Sequence, residues 1–217
     1  MDFKINEYPH LQFGTLFCIG RNYAKHVEEM NSKQSDDPVV FLKPRCSIIR
    51  SGESILLPNQ SENVHHEVEL VALIGKETKN IDHEHALKSV KALAVGLDLT
   101  ARDLQSTAKK SGLPWTLSKG FNTFAPIGNF FEYDESIDVQ NLDISVSVNG
   151  VNRQSSNTSL MLFNLETIIH YLSTRFVLYP GDLIFTGTPE GVSRIVPGDR
   201  IRAALGNNLS TLEVYVK

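Results

Sequence analysis

The chain is predicted to be an α+β protein in which strands dominate and a few short helices flank them. Three observations carry this. Leu142, Ile144, Val146 and Val148 alternate with Asp143, Ser145 and Ser147, and the run ends at Asn149-Gly150 before Val151 resumes. Period-two alternation entering Asn-Gly is the strongest short-range hairpin signal. Apolar runs of strand length recur at 16–19, 39–42, 68–74, 93–97 and 183–186, each bounded on at least one side by Gly, Pro or a charged residue. Helical spacing is clearest in one place, at Leu165, Ile168, Ile169 and Leu172.

The elements follow in order. Residues 16–19 read as a strand that stops at Gly20, and 23–30 as a short helix, so the chain turns a corner at Gly20. On that helix His26 and Glu29 stand three apart on one face. A carboxylate there can hold one imidazole nitrogen and leave the other free as a base, although a fortuitous surface pair has the same spacing. Residues 31–38 are polar and aperiodic, and with the His26 helix they would form a mobile lid of about 23–38. Residues 39–42 form a strand closed by Lys43-Pro44, with Lys43 either facing a site or solvated. A short strand is expected between 52 and 58.

His65-His66-Glu67-Val68-Glu69-Leu70 then runs into an apolar, partly β-branched stretch ending at Gly75. Residues two apart on a strand share a face, so Glu67 and Glu69 project side by side. Crowded carboxylates near a core repel each other and lose hydration unless a cation sits between them. Mg²⁺, Mn²⁺ or Ca²⁺ suits carboxylate oxygens. An edge strand with a solvated polar end fits the same pattern.

Asp82 is the expected N-cap of a short helix running from 83 to about 91. His83-Glu84-His85 is no metal cluster, because residues two apart do not share a helical face. The strand at 93–97 carries Asp98 at its end. Thr100-Ala101-Arg102-Asp103 resembles a capping box, which starts a helix presenting Arg102 and Gln105 on one face. Surface side chains on a capped helix fit equally well. Lys119 lies between the only tryptophan, Trp115, and the aromatic stretch 121–124, either as a partner for substrate charge or as a snorkelling lysine. Gly187-Thr188-Pro189-Glu190-Gly191 follows the strand at 183–186 and can bring backbone N–H groups to an anion. It lacks a P-loop lysine.

Composition narrows the function classes. The chain has 217 residues, 41% of them hydrophobic, a net charge of −4 and a pI of about 6.0. No basic run is present, which disfavours nucleic acid and anionic membranes as partners. No apolar run approaches the ~20 residues of a membrane span. Asp2, Lys4 and Glu7 break up any signal or transit peptide. Cys18 and Cys46 sit in apolar surroundings and read as buried thiols, so a cytoplasmic location is expected. Serine-hydrolase, dinucleotide-binding and zinc-protease motifs are absent.

Several segments together resemble the fumarylacetoacetate hydrolase superfamily, in its acylpyruvate hydrolase and oxaloacetate decarboxylase branch. They are Ile19-Gly20-Arg21-Asn22-Tyr23-Ala24 with His26, Phe41-Leu42-Lys43-Pro44, and His65 to Leu70. Asp98 to Gln105, Gly112 to Lys119, and Gly181-Asp182 with Thr186 to Val192 complete the set. The resemblance implies a β-rich mixed β-sandwich roll with flanking short helices. It implies one catalytic domain over 1–217, with a short N-terminal segment 1–14, usually as a homodimer. It implies Mg²⁺ or Mn²⁺ held by Glu67, Glu69 and Asp98, and a His26–Glu29 dyad on the lid. Arg21, Lys43, Arg102 and Thr188 would bind the substrate, with Gln105 and Lys119 assisting catalysis. The expected activity is cleavage of an acylpyruvate, such as acetylpyruvate or fumarylpyruvate, to pyruvate and a carboxylic acid, with oxaloacetate decarboxylation at the same site. A 2-oxo acid hydratase or isomerase of the superfamily, or a non-catalytic metal-binding protein, are the alternatives. Gly120 departs from the pattern, which expects a side chain after Lys119, and the loop 31–38 matches poorly.

Overall fold

The computed structural model describes residues 4–30 and 34–217. The centre of the expected lid loop, 31–33, lies outside the described residues. A mixed sheet forms the middle of the molecule. Its strands run in the order Val39–Lys43, Leu16–Gly20, Leu183–Phe185, Val68–Ile74, Val90–Leu97, Ala125–Ile127 and Ile48–Arg50. Leu183–Phe185 is parallel to Leu16–Gly20 and antiparallel to Val68–Ile74. Every residue of Val68–Ile74 is buried, because the sheet is covered on both sides.

The two faces alternate as strand geometry requires. Leu70, Ala72 and Ile74, with Leu93, Val95 and Leu97, point into one core. A second sheet, antiparallel except for its last pair, covers it, ordered Val151–Asn157, Asp143–Val148, Arg200–Leu205, Ser210–Val216 and Ser54–Ile55, together with the helix Leu165–Ser173. Val71 and Leu73, with Ala92 and Ala94, point the other way, where Ile5, Phe13, Ile48 and Phe130 close a smaller core. The N-terminal segment is thus anchored, through a small hairpin of Lys4–Ile5 and Tyr8–Gln12.

Most strand and helix expectations hold within a residue or two. The hairpin turns at Asn149 (φ 53°) and Gly150 (φ 80°), both left-handed as a type I′ turn demands. Between 52 and 58 only Ser54–Ile55 is strand. Residues His83–Ser89 form a 3-10 helix, and the Asp82 side chain makes no cap bond. The capping box is not formed either. Thr100–Ala101 pairs as a short strand with Val64–His66, and Asp103 instead accepts hydrogen bonds from Ser61 Oγ and the Glu62 N–H. Cys18 is buried, but Cys46 is exposed, because it lies in the 3-10 turn Arg45–Ser47. Among the described residues no helix is long and apolar enough to cross a membrane.

Candidate active site

Glu67 marks a junction. The chain leaves Val64–His66, paired with Thr100–Ala101 and Ser193–Arg194 in a small sheet, and enters the central strand Val68–Ile74 one residue later. Glu69 lies opposite Gly96 in the ladder. Asp98 follows two residues beyond Gly96, and its N–H donates to the Glu67 carbonyl at 2.8 Å. The three carboxylates therefore converge, each offering an oxygen within 4.8 Å of the others, and all are nearly inaccessible to water.

Cations reach the cluster from three elements. Lys119, at the end of the short helix Thr116–Lys119, donates from Nζ to Glu67 Oε2 at 2.8 Å and to Asp98 Oδ2. Arg102 donates to Glu67 Oε1, and to Gln105 Oε1 at 2.7 Å across one helical turn. Lys43 Nζ stands 2.7 Å from Asp98 Oδ1 and donates to the carbonyls of Leu99 and Phe124. Lys119 and Lys43 are thus buried and neither solvated nor snorkelling. Lys43 lies behind Asp98 and is not part of the pocket wall. Gly120 is accounted for by space: a Cβ there would stand 2.8 Å from the Thr116 carbonyl oxygen and 3.1 Å from Pro44 Cδ.

The electrostatics separate the acids. Burial opposes ionisation of Glu67, but Lys119 and Arg102 draw its pKa well below the carboxylate range. Burial, then the charges of Asp98 and Glu67, push Glu69 well above that range. Among the described residues Glu69 makes no salt bridge; the Gly187 N–H donates to its Oε2 at 2.8 Å. Lys119 is pulled down by burial, yet Asp98 and Glu67 raise it overall.

The His26–Glu29 pair is formed, on the helix Ala24–Glu29, with Nδ1 3.0 Å from Glu29 Oε2. The other carboxylate oxygen accepts the Gly191 N–H at 3.1 Å. The glycine loop therefore serves anions belonging to the protein itself, Glu69 and Glu29. Gly187 (φ 97°) and Gly191 (φ 94°) are both left-handed, and a Cβ on Gly191 would lie 2.3 Å from the Arg153 carbonyl oxygen. His26, Arg21, Arg102, Gln105 and Thr188 join the three acids around one pocket.

Three supporting residues were not identified from the sequence. Asn22, fully buried, donates to the carbonyls of Phe163 and Thr186 and accepts from the Phe163 N–H, tying the Gly20 corner to the glycine loop. Gln154 accepts from the Val68 N–H at 3.1 Å and donates to Thr188 Oγ1 at 2.9 Å. Lys109 lines the pocket mouth beside Trp115. Asn22 lay inside a quoted motif, but nothing local distinguishes the other two from solvated side chains.

The donor set fits a hard divalent cation: three buried carboxylates, one of them without an ionic partner. The comparisons agree with this geometry. The family model described as fumarylacetoacetate (FAA) hydrolase C-terminal matches residues 15–217. A relative from Arabidopsis thaliana named "Oxaloacetate tautomerase FAHD1, mitochondrial" is 41% identical over 190 residues, 88% of this chain and 85% of its own. "Oxaloacetate decarboxylase, mitochondrial" from Dictyostelium discoideum is 41% identical over 191 residues, 88% of each chain. The crystal structure of fumarylpyruvate hydrolase from Pseudomonas aeruginosa in complex with Mn²⁺ and pyruvate superposes with a TM-score of 0.91 at 36% identity, over 100% of this chain and 95% of that one. The chain belongs to the fumarylacetoacetate hydrolase family.

Proposed function

We propose that the chain is a divalent-cation-dependent enzyme of small 2-oxo acids that cleaves an acylpyruvate, such as acetylpyruvate or fumarylpyruvate, to pyruvate and a carboxylic acid. One observation supports this above the rest: three buried carboxylates and His26, which Glu29 orients, line the same pocket. Glu67, Glu69 and Asp98 would hold Mg²⁺ or Mn²⁺, which when bound supplies a Lewis acid for the carboxylate and keto oxygens of a 2-oxo acid.

The chain's own groups do the rest. Glu29 accepts the Nδ1 proton of His26 and leaves Nε2 free to take a proton from water directed at the distal carbonyl. The oxygen of that water joins the acyl carbon, the C–C bond breaks, and its electron pair leaves with pyruvate as the enolate. The proton held by His26 is available to C3. Gln105 and Lys119 offer donors to the oxyanion that develops on the attacked carbonyl. Arg21, Arg102 and Thr188 position the substrate, while Lys43 fixes Asp98 from behind.

The names of the relatives favour a second reaction in the same pocket, on oxaloacetate. Its decarboxylation or keto–enol interconversion needs a proton given or taken at C3, which His26 can supply. Purified protein with Mg²⁺ should be assayed on acetylpyruvate, fumarylpyruvate and oxaloacetate, with products followed by NMR. Pyruvate plus an acid is expected from the first two. A single hydrated or isomerised product would instead identify a hydratase or isomerase. Folded, metal-loaded protein that turns over none of the three would leave only a non-catalytic metal-binding role. The same reading takes 1–217 as one catalytic domain, working in the cytoplasm as a homodimer. Sedimentation velocity should then give a particle of twice 24.2 kDa, and a monomer would overturn the dimer.

A further inference from the structure

Among the described residues Lys109, in the pocket wall, has no acidic partner, and the proposed reaction gives it no task. Lys109 lies in the last turn of the helix Arg102–Lys110. Its neighbour Lys110 is exposed, where a positive charge suits the carbonyl end of a helix. Lys109 is half-buried and turned inward, with Nζ 5.4 Å from the centre of the Trp115 ring. Arg21 approaches the same ring, its Cζ 6.0 Å from the centre. The backbone of Arg21 is left-handed (φ 62°), a conformation that a non-glycine residue keeps only where its surroundings hold it.

Two acids of the cluster are already paired without Lys109. Glu67 and Asp98 are engaged by Lys43, Lys119 and Arg102. Lys109 comes in addition and forms no salt bridge among the described residues. Burial, then the positive charges of Arg102 and Arg21, lower its pKa to about 8. Glu67, the acid that acts on it, is engaged by Arg102 and Lys119. Holding the Lys109 ammonium at a partly dehydrated aromatic wall is costly until an anion arrives to pair with it.

We propose that Lys109 and Arg21, flanking Trp115, form a subsite for a carboxylate at the far end of the substrate. The pocket then selects 2-oxo acids that end in a second carboxylate over those that end in a methyl group. This inference rests on the reading that the pocket takes a 2-oxo acid. Lys109 contributes to binding and takes no proton in the reaction.

Two ligands of equal length isolate the effect. 2-Oxoadipate and 2-oxohexanoate share a 2-oxo acid head and differ at the far end, and neither has a 4-oxo group to be cleaved. Each is titrated into the Mg²⁺-loaded protein while the fluorescence of Trp115, the only tryptophan, is followed. 2-Oxoadipate should bind about tenfold more tightly or better, the effect of ~1.4 kcal/mol. Lys109→Met should bring the two dissociation constants to within about twofold, and Lys109→Arg should retain most of the preference. Equal affinities in the unaltered protein, or a preference that survives Lys109→Met, would overturn the subsite and leave the 2-oxo acid reading standing. If neither ligand binds, both fall together.

Discussion

Glu69 is balanced differently from the two acids beside it. Glu67 and Asp98 have lysine or arginine within ion-pair distance, whereas Glu69 has one backbone N–H and the repulsion of its neighbours. A bound cation therefore relieves Glu69 most, and Glu69→Gln should weaken Mn²⁺ binding by about 10–100-fold, a range that changes even outside the ligand shell can reach. Calorimetric titration measures it, and an unchanged dissociation constant would remove Glu69 from the metal site. His26 separates two reactions. Hydrolysis needs a base for water, and losing one costs ~10²–10⁴-fold; decarboxylation needs no attacking water, and the proton at C3 that His26 can supply can also come from solvent. His26→Ala should therefore lower kcat/KM for acetylpyruvate more than for oxaloacetate, and an equal loss would mean that His26 positions substrate while another group activates water. Lys109 sets a pH limit on the carboxylate preference. Its protonated form pairs with the ligand, and the free protein loses that proton as pH rises through about 8. Lys119 is raised and Glu67 is held well below the carboxylate range, so neither changes charge in this window. The preference for 2-oxoadipate should be complete well below pH 8 and shrink above it, and a ratio of affinities that ignores pH would count against Lys109.

At the scale of elements, the carboxylate pair was legible from residues two apart on an extended chain, although Glu67 proves to lie at the junction before the strand Val68–Ile74, and the Arg102–Gln105 and His26–Glu29 pairs because they needed only helical spacing. The third acid was placed by resemblance, since nothing local says that residues 90–97 lie beside 68–74. The structure supplies the reason: Gly96 faces Glu69 and lets the two strands and Leu183–Phe185 pack closely. A Cβ on Gly96 would stand 2.6 Å from Val71 Cγ2 and 2.9 Å from Phe185 Cε1. Gly96→Ala should therefore overpack the smaller core at a cost of ~1–3 kcal/mol, and it should also disturb the Glu69–Asp98 spacing. A fall in both melting temperature and Mn²⁺ affinity is expected; a fall in melting temperature alone would show that the ladder absorbs the strain. The failed caps at Asp82 and Thr100 have a common cause. In each case an α-helical first turn is absent where the cap was expected, replaced by a strand pairing at Thr100 and by a tight 3-10 turn after Asp82.

The whole molecule is harder to read from the sequence, because what defines it is pairing between distant segments. Ala125–Ile127 runs parallel to Ile48–Arg50, and Leu183–Phe185 parallel to Leu16–Gly20; no hairpin signal announces either. The strand Leu183–Phe185 matters for the site, since its further pairing with Val68–Ile74 carries the glycine loop to Glu69. The second sheet contributes no residue to the pocket wall and reaches the site through Gln154, which holds Thr188, so its main task is to cover the central sheet. Leu205 tests that division. It is fully buried in the larger core, on the strand Arg200–Leu205, paired with Ile144 and Ser210. Leu205→Ala removes buried apolar surface and leaves a cavity, which should cost ~2–5 kcal/mol and lower the urea midpoint accordingly. Below the transition, the folded variant should bind Mn²⁺ within about twofold of the unaltered protein, as distant sites act independently. If metal affinity falls with stability, the second sheet helps to hold the three carboxylates in register as well as excluding water from their strands.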